Sequence, residues 1–142
     1  MRNVPLEIVT PERKVYSGDV SMVIVRGGDG DVGIMAGHIP LVTTVKTSAV
    51  RIFTNDNRNE SRVAVSGGFL EVKPDRITIL AEAAELPEEI DVERAQRAKE
   101  RAERRLSEAG REDIDYLRAE LALQRALNRL QVAKKGPFDD KR

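Results

Sequence analysis

The sequence predicts an N-terminal all-β sandwich followed by a C-terminal antiparallel α-helical hairpin. Three observations carry that expectation. The composition changes near Pro87: eight of the ten glycines precede it, and glycine recurs afterwards only at positions 110 and 136. Short β-branched runs separated by turn residues fill the first part. Two apolar stripes at three- and four-residue spacing fill the second. A chain of 142 residues has room for one ordinary domain or two small ones. The expected division is a sandwich over 1–87, a hairpin over 88–135 and a flexible tail over 136–142.

Within the first part, Val20 to Val25 reads as a strand apolar on both faces, buried in the sandwich. Ala49 to Phe53 and Arg62 to Val65 flank the polar tip Asn55-Asp56-Asn57-Arg58-Asn59 and read as a hairpin. Gly67-Gly68 is expected to turn the chain into Phe69 to Lys73, and Pro74-Asp75 to turn it again into Arg76 to Leu80. Both later runs alternate, which gives one dry and one wet face. Turns at this spacing favour a sandwich or barrel over βαβ units.

In the second part, Val92, Ala95, Ala98, Ala102, Leu106 and Ala109 form the first stripe. Asp91 is placed as N-cap and Gly110 as the C-terminal stop. Asp113 is placed to cap a second helix, whose stripe is Ile114, Leu117, Leu121, Leu127 and Leu130, and Gly136-Pro137 ends it. Each buried methyl-sized group contributes only on the order of 1 kcal/mol. So slim a seam cannot hold two helices alone, which implies that they dock on the sandwich or on another subunit.

The composition excludes several function classes. Lysine plus arginine equal aspartate plus glutamate at 24 each, so no global charge draws the chain to nucleic acid or to an anionic membrane. Cysteine is absent and His38 is the only histidine, which leaves no thiol nucleophile and no zinc ligand set. No serine stands in a nucleophile-elbow pattern. No catalytic or metal residue is therefore assigned. Met1 to Thr10 has no secretory pattern, and the longest apolar run, Met22 to Val25, is too short to span a bilayer. Direct bilayer insertion is not expected. The glycine-rich Gly27 to Gly33 leads from strand to strand and carries two aspartates, so it reads as a hairpin tip and not as a phosphate loop.

The arginines of the second part are more informative. Arg94 and Arg101 share one helix face, as do Arg118 and Arg125, with Arg129 one turn further. In an antiparallel hairpin turning near Gly110, Arg94 stands opposite the neighbourhood of Leu127, between Arg125 and Arg129. Three guanidinium groups then converge beside Asp91. Three occupants suit such a cluster: solvent with local glutamates, a polyphosphate held by forked donors, or an acidic protein surface.

Several segments together resemble the ε subunit of bacterial F-type ATP synthases, closest to the Bacillus-like thermophilic branch. They are Gly33-Ile34 with Gly37-His38-Ile39-Pro40-Leu41, Val65 to Val72, Ile77 to Ala81, Ile90-Asp91-Val92-Glu93-Arg94-Ala95 and Arg118 to Leu123. The resemblance runs through to about Ala133, with departures at Leu86-Pro87 and in the tail. It implies a non-catalytic central-stalk subunit of a proton-translocating synthase, peripheral on the cytoplasmic face of the bacterial cell membrane. Its sandwich would couple the γ subunit to the c-ring, with Gly30 and Asp31 toward the c-ring and His38 and Thr43 toward γ.

The resemblance also implies a regulatory hairpin. Folded down, it permits ATP hydrolysis; extended along γ, it meets the acidic region of a catalytic β subunit, with Arg118 among the contact residues, and suppresses hydrolysis. In the Bacillus-like branch the folded hairpin binds ATP as a regulatory ligand. The matching residues here are Glu85, Ile90, Asp91, Arg94, Ala95, Arg101, Arg125 and Arg129. Whether Mg²⁺ accompanies the nucleotide is left open by the pattern. The alternative reading is a purely structural coupling subunit with a vestigial nucleotide site.

Overall fold

A computed structural model describes residues 2–108 and 114–138, without the side chain of Ile114. Eight strands come first: β1 (Val4–Val9), β2 (Lys14–Val20), β3 (Met22–Gly27), β4 (Gly30–Ile34), β5 (Leu41–Thr44), β6 (Ser48–Thr54), β7 (Asn59–Lys73) and β8 (Arg76–Glu85). A single 3-10 turn, Pro87–Glu89, links them to the helices α1 (Val92–Glu108) and α2 (Ile114–Lys135). The chain is thus an eight-stranded sandwich followed by two helices, as the composition break implied.

The hydrogen-bonded path runs β2-β1-β8-β7-β6-β3-β4, with β5 on β7. All pairs are antiparallel except β1 with β8. The fifteen residues of β7 join the layers, because its first half pairs with β6 and its second half with β5. Alternating positions of β1, β3, β6, β7 and β8 feed one core that includes Leu6, Ile8, Val23, Val25, Leu70 and Ile79, all fully buried. This is the period-two pattern of half-buried strands.

Two strand expectations are corrected. Val20 to Val25 is not one strand buried on both faces. Buried Ser21 breaks it, giving both its N–H and its hydroxyl to the Phe53 carbonyl at 2.8 and 3.0 Å. Beyond the break only Val23, Val25 and Gly27 point inward, while Met22 and Ile24 are half-buried and Arg26 is exposed. An antiparallel sandwich strand keeps one face toward solvent even where that face is apolar. Gly67-Gly68 is not a chain reversal either, since β7 passes straight through it and pairs with β8 on both sides. Positive φ values of 70° and 124° bend the strand there without ending it.

The Asn55–Arg58 tip turns β6 into β7 as expected, with Asn55, Asp56 and Asn57 at positive φ. Asparagine and aspartate tolerate that region better than other side-chain-bearing residues. Near this tip Glu60 accepts two bonds from Arg51 at 3.1 Å and one from Arg62 at 2.9 Å. The Arg51 bond above all, against the cost of burial, holds the Glu60 carboxyl down to a pKa of about 2.

Asp91 caps α1 as expected: its carboxylate accepts the Arg94 N–H at 3.1 Å and its carbonyl the Ala95 N–H at 2.9 Å. The placements of Ala109, Gly110 and Asp113 lie outside the described residues. The hairpin seam is narrower than the sequence stripes suggested. Its buried residues are Ala95 and Ala102 on α1 and Ala119 and Ala126 on α2. Ala95 with Ala126, and Ala102 with Ala119, share the midpoint that sets Arg94 opposite Leu127.

The leucine stripe of α2 is corrected. Leu117, Leu121 and Leu127 are exposed, Leu130 is half-buried, and Val92 at the start of α1 is also exposed. The seam is filled by alanine from both helices, while Leu121 and Leu127 line the groove between α2 and the sandwich instead. On the sandwich side α2 is held by fully buried Val132, clustered with Ala64 and Ile90, and by buried Asn128, whose Nδ2 donates to the Val65 carbonyl at 3.4 Å. Phe138, assigned to the tail, instead docks: its ring lies 5.3 Å from that of Tyr16.

Candidate functional site

Four elements meet at the root of the hairpin: the end of β8, the 3-10 turn, the first turn of α1 and the late part of α2. They enclose a cleft of about 200 Å³ lined by Glu85, Glu89, Asp91, Arg94, Ala95 and Arg129. Arg94 and Arg129, far apart in the chain, are thereby brought together. Of the residues assigned to a nucleotide, the fold gathers Glu85, Asp91, Arg94, Ala95 and Arg129 here. Ile90 is buried beneath them against Val132 and Ala64. Arg101 and Arg125 are exposed on their helices and do not line the cleft.

The charges in the cleft are unevenly satisfied. Arg129 Nε donates to Glu85 Oε1 at 2.6 Å. Asp91 is engaged as the cap of α1. Glu89 receives Arg13 Nη2 at 2.8 Å and the Leu86 N–H at 2.9 Å. The Arg13 bond, against the cost of burial, holds the Glu89 carboxyl below the ordinary carboxylate range. Every carboxylate in the cleft therefore has a partner, whereas the Arg94 guanidinium makes no ion pair among the described residues. What remains available is cationic, exposed and next to a second guanidinium, which is an arrangement suited to an anionic ligand with several oxygens.

A larger open groove of about 850 Å³ lies between α2 and the sandwich, where Leu121 and Leu127 face Arg26, Lys46, Arg51 and Arg62. Its guanidiniums each already have a carboxylate partner, Arg51 and Arg62 sharing Glu60 and Arg26 holding Asp31, so none is as free as Arg94 is among the described residues. Size alone therefore does not make it the better anion site.

The assigned subunit-contact residues are accessible. Gly30 and Asp31 sit at the exposed β3–β4 tip, and Arg118 is exposed on α2. His38 is half-buried, with Nδ1 2.7 Å from the Ile39 carbonyl, and Thr43 is half-buried on β5. Around them lies a surface that the sequence reading missed: Met35, Ile39, Val42, Phe69 and Leu80 are each more than half exposed. Phe69 and Leu80 are cross-strand partners, and Thr44 pairs with Phe69 from the other side. Val42, Phe69 and Leu80 thus share one outward face. The hairpin about Pro74-Asp75 already implied the Phe69–Leu80 pair, but nothing in a single sequence says which sandwich face stays uncovered. Glu89 had no signal at all, since its role depends on Arg13 reaching it.

Among the described residues no group of three His, Cys, Asp or Glu side chains is placed to hold a metal ion. Among those residues no helix is long and apolar enough to cross a membrane. Fold and site together define a sandwich-and-hairpin protein with exposed apolar side chains on the sandwich and a cleft carrying two guanidiniums at the hairpin root. Residues 3–87 match the family model described as ATP synthase, Delta/Epsilon chain, beta-sandwich domain, and residues 88–134 match its long alpha-helix domain. The chain belongs to the ATP synthase Delta/Epsilon family. It is 59% identical over 108 residues to the ATP synthase epsilon chain of Brevibacillus brevis, covering 76% of this chain and 81% of that one. Against the epsilon chain of Bacillus subtilis it is 56% identical over 107 residues, covering 75% and 80%. A chain of the Euglena gracilis mitochondrial ATP synthase shares the fold, with a TM-score of 0.76 at 22% identity and coverage of 93% and 81%.

Proposed function

We propose that this chain, as an epsilon-type and hence non-catalytic stalk subunit of an ATP synthase, couples γ to the c-ring through its sandwich and restrains ATP hydrolysis through its helices. ATP bound at the hairpin root favours the folded, non-inhibitory state. The outward face of Val42, Phe69 and Leu80 supports the docking half of this reading, with Met35 and Ile39 also exposed, because exposed apolar surface favours a protein partner. Extended helices would meet the acidic region of a catalytic β subunit. This subunit sits peripherally on the cytoplasmic face of the membrane.

The observation that carries the nucleotide reading is the Arg94 guanidinium, which makes no ion pair among the described residues, beside Arg129 in a cleft whose carboxylates are all engaged. Pockets that enclose small molecules run to about 300–1,000 Å³. A cleft of about 200 Å³ therefore takes one end of a nucleotide and leaves the rest across the hairpin surface, where Arg101 and Arg125 are exposed. Strands, linker and both helices all contribute to the cleft, so separating the helices dismantles it.

ATP then binds the folded state alone and shifts the balance by its differential affinity. At about ten times the dissociation constant the shift is about 1.4 kcal/mol, enough to tip a balanced switch and too little to reverse a strong bias. Calorimetric ATP titration of the whole chain, with and without Mg²⁺, tests the site; unchanged affinity in Arg94→Ala removes Arg94 from it. Comparing the ATPase rate of the assembled complex with and without residues 88–142 tests restraint, and an unchanged rate favours the purely structural coupler.

A further inference from the structure

The chain does not end its contacts where α2 ends. Gly136, with φ of +106° and its N–H on the Ala133 carbonyl at 3.3 Å, terminates the helix, and Pro137 forbids its continuation. These two residues turn the backbone onto the sandwich. The Phe138 N–H reaches Glu88 Oε2 at 3.1 Å, and the Phe138 ring meets the ring of buried Tyr16 in β2 at a 48° tilt. Phe138 and Leu86 both pack against the main core cluster. The next residue of the turn, Glu89, is tied to Arg13 in the β1–β2 connection. The segment entering the hairpin and the segment leaving it are therefore fastened to each other and to the same edge of the sandwich.

We infer that Gly136–Phe138 is a latch that holds the hairpin down. The inference rests on the proposed movement of the helices and deepens it by naming what opposes that movement. The seam between the helices is alanine, and α2 is held to the sheet by the small cluster around Val132, the Asn128 bond to Val65 and the partly exposed Arg129–Glu85 ion pair. Against so thin an attachment, one aromatic contact and one hydrogen bond to a carboxylate weigh heavily. Both lie at the far end of α2 from the hairpin turn, so the helices cannot swing away from the sandwich until Phe138 leaves Tyr16. Phe138 also stands beyond the stretch that matches the family's helical domain.

Amide hydrogen exchange of the full chain, without nucleotide, tests the latch. Phe138→Ala and a chain ending at Lys135 should each exchange about tenfold faster throughout α1 and α2, with the sandwich strands unchanged. Acceleration confined to the last turn of α2, or none, overturns the latch. The wild-type chain separates this failure from that of the underlying reading. If its helices exchange ahead of the sandwich but ignore both changes, only the latch fails. If helices and sandwich exchange together in every variant, no independent hairpin opening exists and both fail.

Discussion

Gly30 and Gly68 share the same φ of +124°, and that coincidence allows a clean experiment. A Cβ added at Gly30 meets nothing within 4 Å, whereas one added at Gly68 falls 2.1 Å from the Leu80 carbonyl oxygen and 2.8 Å from the Ala81 Cα. Gly30→Ala therefore pays only for holding an alanine in a left-handed conformation, about 1–2 kcal/mol. Gly68→Ala pays that and must also force β7 from β8. Both obstructing atoms are backbone, so no side chain can give way, and strain of this kind adds about 1–3 kcal/mol or more. The sandwich variant Gly68→Ala should thus lose about 2–5 kcal/mol in all, a large part of a domain's usual stability. For a domain of this size that extra strain should separate the two variants in Tm by about 4–20 °C, Gly68→Ala melting lower. Thermal unfolding followed by circular dichroism, with each variant alongside the parent, measures it. Equal melting temperatures would refute the close approach of β7 to β8 and with it the role assigned to Gly68.

Three further outcomes are expected. The Glu60 carboxyl, held near a pKa of about 2 by Arg51 and then Arg62, stabilises the fold fully above its ordinary value of 4.5 and loses that contribution as pH falls toward 2. Arg51 is partly exposed, which screens the effect to on the order of 1–3 kcal/mol; Glu60→Gln should flatten the decline in urea stability between those pH values, and an unchanged slope would show that other groups cause it. Val132→Ala removes two buried methyl groups at about 1–2 kcal/mol and should speed tryptic cutting of α2 while the sandwich fragment survives; equal resistance of α2 would mean that Val132 does not hold the hairpin. Leu80→Asp alters an exposed side chain, so the isolated chain should melt within about 2 °C of the parent. The same change should cut co-purification with γ and c-ring by at least tenfold, and undiminished assembly would place the docking face elsewhere.

Much of the fold was legible because local patterns decided it. Strand alternation in β7 and β8, the asparagine-rich tip and the Asp91 cap all act within a few residues, and each stands where the sequence put it. The failures share a different cause. Leu117, Leu121 and Leu127 have the right spacing for a buried stripe, yet the seam formed on alanine, because the partner helix also offers alanine, and Leu121 and Leu127 line the groove against the sandwich instead. Gly67-Gly68 has the composition of a turn, but β8 runs beside it and keeps the strand extended. The cleft was partly legible: placing Arg94 opposite the Arg129 region required only antiparallel geometry and a turn near Gly110. That Arg129 is already bound to Glu85, that Glu89 belongs to the wall and that Arg94 makes no ion pair among the described residues required coordinates.

The sequence by itself determined the two-part architecture, the absence of catalytic parts and the family, since composition, periodicity and long matching segments are properties of the chain alone. Only the tertiary structure decided which surfaces each part presents. A helix face or a strand face is apolar or polar in sequence, but whether it is covered depends on what packs against it, and those partners come from distant segments. Phe138 is the clearest case: as five terminal residues after Gly136-Pro137 it reads as a tail, and only the nearness of Tyr16 and Glu88 turns it into an anchor.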